Sequence, residues 1–173
     1  MLYYLVAEFS HKIYEKGLTI GNGGNVSVRS GEYMRITPKK LGFKTLGDVT
    51  PYEIIRVPID DPRHPKASSE SFMHAEIYKR TERKAIIHAH PPIACSRLHK
   101  GESFKVPDYE GKYHEVPVVP YYPPGSLELA KAVAEAMDEK GVVLMLYHGV
   151  VTAGENLREA LIKLELVELG ARV

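Results

Sequence analysis

The chain has 173 residues, enough for one domain with a substantial hydrophobic core. Its 23 Lys and Arg nearly balance 22 Asp and Glu, for a formal net charge of +1, which excludes a broad basic surface for nucleic acid or an anionic membrane. No apolar run approaches the roughly 20 residues of a membrane helix, and one cysteine excludes an internal disulfide and fits a reducing cytoplasm. The N-terminal Met1-Leu2-Tyr3-Tyr4 has no basic region, so no signal peptide is expected. Glutamine is absent and asparagine occurs only at 22, 25 and 156, a composition that suggests a thermophile.

Leu2, Leu5, Val6, Phe9 and Ile13 share one stripe and predict an amphipathic helix over 2–16, with Gly17 placed as its C-terminal cap. Next, Gly21-Asn22-Gly23-Gly24-Asn25-Val26-Ser27-Val28-Arg29 is a glycine-rich turn running into an alternating strand. Ser30-Gly31-Glu32 then turns the chain into a second strand over 33–37. A tight turn with positive φ accounts for the glycines. A sharper reading is a backbone nest whose N–H groups face an anion, with Asn22 and Asn25 adding side-chain donors. No Walker loop or dinucleotide fingerprint is present.

Residues 37–51 read as a loop, and the Lys39-Lys40 pair within it as solvated surface. A strand over 54–59 and a turn-rich loop over 60–65 follow. Serines before Phe72, Ala75, Ile77 and Tyr78 mark a helix start. A serine there is commonly just an N-cap, yet hydroxyls and free N–H groups at a helix start also make an anion site. Glu70 in the first turn can reach into such a site, whereas His74 reads as structural.

Ala85-Ile86-Ile87-His88-Ala89-His90-Pro91 is a strand on which His88 and His90 share one face. Two neutral imidazoles there make half a site for a divalent ion such as zinc, and Pro91-Pro92 leaves them at the strand's carboxyl end. A bare His-x-His is more often two satisfied sheet histidines. A short helix over 93–98 carries Cys95, read as a buried structural thiol, and 99–116 is a polar, aromatic loop. A strand over 116–121 precedes a helix capped by Ser126 and ending at Gly141. Val142–Tyr147 is continuously apolar, hence predicted as a central strand, and delivers His148 at its end. The last helix starts at Asn156, with Glu159 in a capping-box-like pattern. Interleaved helices and strands give one α/β domain, a three-layer sandwich with a largely antiparallel central sheet flanked by helices.

His88, His90, His148 and Glu70 form a candidate metal set suited to Zn2+, with Mn2+, Fe2+ or Co2+ as alternatives. Taken with Gly-Asn-Gly-Gly-Asn-Val-Ser (21–27), Ile-Thr-Pro (36–38), Ser-Ser-Glu (68–70) and His148-Gly149, these residues resemble the class II aldolase/adducin family. The motifs span nearly the whole chain. The resemblance implies that Gly24, Asn25, Ser68 and Ser69 hold a substrate phosphate, with Asn22 where relatives often carry threonine. It implies that His88, His90 and His148 bind the metal, and that Glu70 is the acid/base and also a ligand when substrate is absent.

The reaction implied is cleavage of a ketose 1-phosphate to dihydroxyacetone phosphate and an aldehyde, by a homotetramer with sites at subunit interfaces. Tyr109 or Tyr113 is the candidate for a tyrosine reaching a neighbour's site. The chain stops at Val173, so no residue is expected to match the tail tyrosine that assists proton transfer in established aldolases. Three other roles stay open within the resemblance. Sugar-phosphate 4-epimerases usually have aspartate in place of Glu70, and methylthioribulose-1-phosphate dehydratases keep Ser-Ser-Glu. Adducin-like members bind proteins and lack the histidines.

Overall fold

The computed structural model describes residues 1–173. Helices are α1 (Leu2–Glu15), α2 (Ser71–Arg80), α3 (Pro92–Leu98), α4 (Leu127–Ala136) and α5 (Leu157–Ala171). The first strands are β1 (Asn25–Ser30), β2 (Tyr33–Ile36), β3 (Ile55–Pro58) and β4 (Ala85–Ala89). Those that follow are β5 (Val106–Pro107), β6 (Tyr113–His114), β7 (Val118–Val119), β8 (Val142–Met145) and β9 (Gly149–Gly154). Seven strands form one sheet in the order β3-β2-β1-β4-β9-β8-β7, antiparallel throughout except for the β7–β8 pair. β5 and β6 make a separate hairpin within the segment expected to be loop.

Alternation along the strands divides the core in two. Val26 and Val28 of β1 and Ala85, Ile87 and Ala89 of β4 face α1, α3 and α5. On the opposite face Ile86 joins Val143 and Val151 against Met73, Ile77 and Tyr78 of α2 and Leu129 and Val133 of α4. The three layers expected from the sequence are therefore present, with both faces of the sheet covered. Full burial of an isoleucine such as Ile86 or Ile87 contributes about 1.5–3 kcal/mol. None of the helices is long and apolar enough to cross a membrane.

The structure corrects several boundaries. β9 was not expected as a strand; it follows β8 after a turn at residues 146–148 and inserts between β8 and β4. β8 is accordingly sixth in the sheet and not central; its continuous apolar character follows from burial under two helical layers. The strand expected over 116–121 shortens to Val118–Val119. α4 stops at Ala136, five residues before Gly141, because Asp138 starts a turn by accepting the Gly141 N–H at its carbonyl and the Lys140 N–H at its side chain. The close of α1 matches expectation: Gly17 N–H bonds Tyr14 O and Leu18 N–H bonds Ile13 O, the paired bonds of a Schellman cap.

One long-range contact fixes the chain just beyond the histidine strand. Glu168 of α5 is buried, and its carboxylate accepts the N–H groups of Ile93 (3.1 Å) and Ala94 (2.8 Å) at the start of α3. Those donors have no partner within their own helix, and the positive end of the helix favours the carboxylate. Glu168→Ala strands both donors. We expect a loss of roughly 2 kcal/mol, read as a lower urea midpoint at unchanged slope, with Glu168→Gln intermediate because one acceptor survives.

Candidate active site

Antiparallel pairing brings three strand ends to one place. β1 begins, β4 ends and β9 begins at the same end of the sheet, with Asn25 opposite His88 and His88 opposite Val151. His88 shares its face with Ile86, towards α2, and His90 continues that alternation just past the strand. His148 arrives from the β8–β9 turn. A cleft of about 420 Å³ opens there. All nine residues anticipated for a site line it: Asn22, Gly24, Asn25, Ser68, Ser69, Glu70, His88, His90 and His148.

The three imidazoles crowd together. Ring centroids lie 4.8 Å apart for His88–His90 and His88–His148, and 5.4 Å for His90–His148, and one ring nitrogen from each falls within 4.8 Å of the others. His88 Nδ1 lies 3.0 Å from Val150 O, so it carries the proton and leaves the Nε2 lone pair facing His90 Nε2 at 3.0 Å. His148 Nδ1 is buried with no hydrogen-bond partner. Burial pushes His90 and His148 down to about 4 and His88 well below the usual histidine range, with neighbouring positive groups adding to the effect. All three are therefore neutral at pH 7, the form that ligates. Two nitrogens on tetrahedral zinc stand about 3.3 Å apart, within the spacing found here, and an orphaned buried nitrogen gains a partner. The donor set fits a divalent ion.

Glu70 lines the same cleft but stands outside this close set, so the structure does not group it with the histidines as a fourth ligand. Nor does it lie inside the first turn of α2. It occupies the N-cap, with Ser71 opening the helix. Burial raises its pKa, against a smaller opposing effect from the Gly125 backbone N–H. Ser68 Oγ accepts the Glu70 N–H at 3.2 Å, and Ser71 Oγ donates to Ser68 O at 2.6 Å. Ser69 takes part in neither bond and is exposed to the cleft.

The glycine turn is held from behind. Gly24 has φ 94°, and a Cβ there would meet Leu46, the His88 carbonyl and Thr19 at 3.0–3.2 Å. Thr19 Oγ donates to Gly23 O (3.1 Å) and accepts the His90 N–H (3.3 Å), tying the turn to the histidine strand. Gly149 is needed for closeness: a Cβ there would sit 2.7 Å from Ala89 O and 2.9 Å from His90. Under the cleft, Asn25 Oδ1 bonds His74 Nε2, His74 Nδ1 lies 2.7 Å from Ser27 Oγ, and Ser27 Oγ lies 2.8 Å from Tyr78 Oη. Burial pushes His74 down to about 3, so it is neutral; its Nε2–H donates to Asn25 and leaves the Asn25 amide donors for the cleft. His74 is structural, as expected, and its effect on the site is to orient Asn25.

Five lining residues were not anticipated for a site from the sequence: Lys39, Lys40, His99, Pro124 and Tyr147. Lys40 corrects an expectation. Its Nζ turns inward to donate to Gly24 O, and burial lowers its pKa to about 8. Its position just after Ile-Thr-Pro was the available signal. Tyr147 has φ 61°, the sole positive value outside glycine, and its neighbour His148 was the clue. Cys95 is buried and raised to about 12, an inert thiol as expected. Tyr109 and Tyr113 do not line this cleft; Tyr109 borders a separate hollow of about 340 Å³ with His114 and Lys163.

The family model for the Class II Aldolase and Adducin N-terminal domain matches residues 5–173. An L-fuculose phosphate aldolase of Methanococcus maripaludis is 35% identical over 161 residues, covering 90% of this chain and 86% of the relative. A 5-methylthioribulose-1-phosphate/5-deoxyribulose-1-phosphate aldolase of Escherichia coli is 34% identical over 154 residues, covering 84% of this chain and 70% of the relative. Among solved structures, the L-fuculose-1-phosphate aldolase of Thermus thermophilus superposes with a TM-score of 0.85 at 31% identity, over 99% of this chain and 91% of that one. Sequence match, fold and the three-histidine cleft agree, and the chain belongs to the class II aldolase and adducin family.

Proposed function

We propose that this chain is a metal-dependent aldolase that cleaves a ketose 1-phosphate of the L-fuculose 1-phosphate kind to dihydroxyacetone phosphate and an aldehyde such as lactaldehyde. The observation carrying this reading is the union, in one cleft, of three neutral histidines with a glycine-rich turn and one buried carboxylate. Relatives named as aldolases for two different ketose 1-phosphates support the reaction class. An adducin-like binding role gives no account of the histidine cluster.

His88, His90 and His148 would hold the ion, Zn2+ or one of Mn2+, Fe2+ and Co2+. Such an ion supplies positive charge beside the carbonyl and hydroxyl oxygens of a bound ketose, where carbon–carbon cleavage develops negative charge. The other steps belong to side chains. Ser69 and the Gly24–Asn25 turn grip the phosphate, and that remote binding energy places the C3–C4 bond beside the histidines. As the C3–C4 bond breaks and C4 becomes the aldehyde, the C4 hydroxyl proton passes to solvent in the open cleft; Glu70 then gives a proton to C3 of the three-carbon fragment, and removes it in the condensation direction. Its burial favours the protonated form, which suits a group that must donate near neutral pH. The family's subunit-interface tetramer and a cytoplasmic setting complete the reading.

The principal test is a screen of ketose 1-phosphates with zinc-loaded protein, following release of dihydroxyacetone phosphate. Cleavage of L-fuculose 1-phosphate supports the proposal; epimerised or dehydrated product without cleavage would replace it by a sugar-phosphate 4-epimerase or a methylthioribulose-1-phosphate dehydratase. We expect His90→Ala to lose most bound metal by elemental analysis, whereas equal content in both proteins would remove the histidines from that role. Ser69→Ala should raise KM for phosphorylated substrates roughly tenfold with metal content unchanged. Glu70→Gln should lower kcat on the order of 10²–10⁴-fold, with substrate affinity largely kept, and wild-type turnover would leave Glu70 without a part in proton transfer.

A further inference from the structure

Tyr147 is the one residue of the chain held in a backbone conformation that its type avoids. Its φ is 61°, in the left-handed region where a bulky side chain is an outlier. The cause is the turn between β8 and β9. His148 N–H bonds Met145 O at 3.2 Å, and a positive φ at the third residue of such a turn ordinarily calls for Gly or Asn. An aromatic ring kept there either holds the fold together or serves the site beside it. It does little for the fold, being 50% exposed and packed into neither half of the hydrophobic core. Strain that packing does not require points to function.

The ring is fixed at both ends. The Tyr147 N–H bonds Leu98 O at 3.1 Å, the carbonyl that also accepts the Gly101 N–H at 3.0 Å. The Tyr147 hydroxyl lies over Gly101, where a Cβ would come within 2.8 Å of it. The side chain therefore reaches from the β8–β9 turn to the end of α3 and walls the cleft there. Strand order says which end of the cleft this is. The glycine turn enters β1 on one flank, His88 and His90 stand at the end of β4, and Tyr147 lies on the far flank between β9 and β8. Strands about 4.8 Å apart put roughly 10–14 Å between the two flanks. A ketose 1-phosphate with its phosphate at the glycine turn and its C2 and C3 oxygens at the histidines extends C4 and the carbons beyond towards Tyr147.

We infer that Tyr147 is a specificity-determining residue for the aldehyde half of the substrate, a fixed wall that admits short aldehydes and rejects long ones. The inference rests on the aldolase reading and deepens it. The bulk of the ring does the selecting, not its hydroxyl, and the phosphate half on the opposite flank lies beyond its reach.

Condensation of dihydroxyacetone phosphate with straight-chain aldehydes from ethanal to hexanal, by the metal-loaded full chain, tests it. Wild-type kcat/KM should fall at least about tenfold between propanal and hexanal, a discrimination that a few methylenes against a shaped wall can supply. In Tyr147→Asn, whose side chain suits the turn, the two aldehydes should come within about threefold of each other. KM for dihydroxyacetone phosphate should be unchanged in that variant, and Tyr147→Phe should keep the wild-type profile. Tyr147→Asn should also melt within about 4 °C of wild type, because the ring is not a structural requirement. A Tyr147→Asn protein that keeps the wild-type length profile overturns the inference, as does one that melts far lower or a wild type that accepts all the aldehydes equally. The two readings fail separately: a protein that condenses no aldehyde refutes the aldolase and this inference with it. One that condenses them with the same profile after Tyr147→Asn refutes Tyr147 alone.

Discussion

Three imidazoles can share so small a space only if none of them carries a charge. That constraint explains much of what surrounds them. His88 is almost wholly buried and His148 nearly so, walled by α2, the glycine turn and the β8–β9 turn. The same low-dielectric wall that keeps the rings unprotonated also raises Glu70, so one environment prepares both neutral nitrogen donors and a carboxyl group able to hold a proton. Selective burial thus sets the chemistry of the cleft more than any single contact does.

Placement of the histidines is achieved by side-chain-to-backbone hydrogen bonds between remote elements. Val150 O sets the His88 tautomer, the His90 N–H is fastened to Thr19, and Glu168 pins the helix that begins two residues after His90. Each tie comes from a different element: β9, the segment after α1, and α5. Loss of any one of them moves a ring without touching it, which is how second-tier substitutions can alter metal affinity. The buried Asn25–His74–Ser27–Tyr78 chain does the same for the glycine-turn side of the cleft, linking β1 to α2 through an unbroken run of hydrogen bonds.

Much of this was legible before any coordinates. The three layers followed from interleaved helices and strands, and the same-face relation of His88 and His90 from a period of two. The nine anticipated residues converge because their motifs lie at strand and helix ends, where side chains reach past the sheet. What escaped has physical causes. Gly149-Val-Val-Thr-Ala-Gly154 is bounded by glycines and follows another apolar run, so only the first of the two antiparallel strands was read. Lys40 looks like any surface lysine until the Gly24 carbonyl, distant in sequence, is found beside it. Glu168 reads as one more polar residue on an amphipathic helix, since only the fold brings α3 under it. Pairings between remote segments leave no local trace.

The order of the sheet has a consequence for how the chain comes to hold its site. β1–β2 and β8–β9 are local hairpins that can form early, while β4 must thread between them and pair with Asn25 on one side and Val151 on the other. Closing those long loops is the entropically expensive part of the topology and the natural slow step. His88 and His90 ride on that last strand, whereas His148 rides on a hairpin. A nascent or partly folded chain therefore cannot bring the three imidazoles together, and the histidine cluster exists only in molecules whose central seam has already closed.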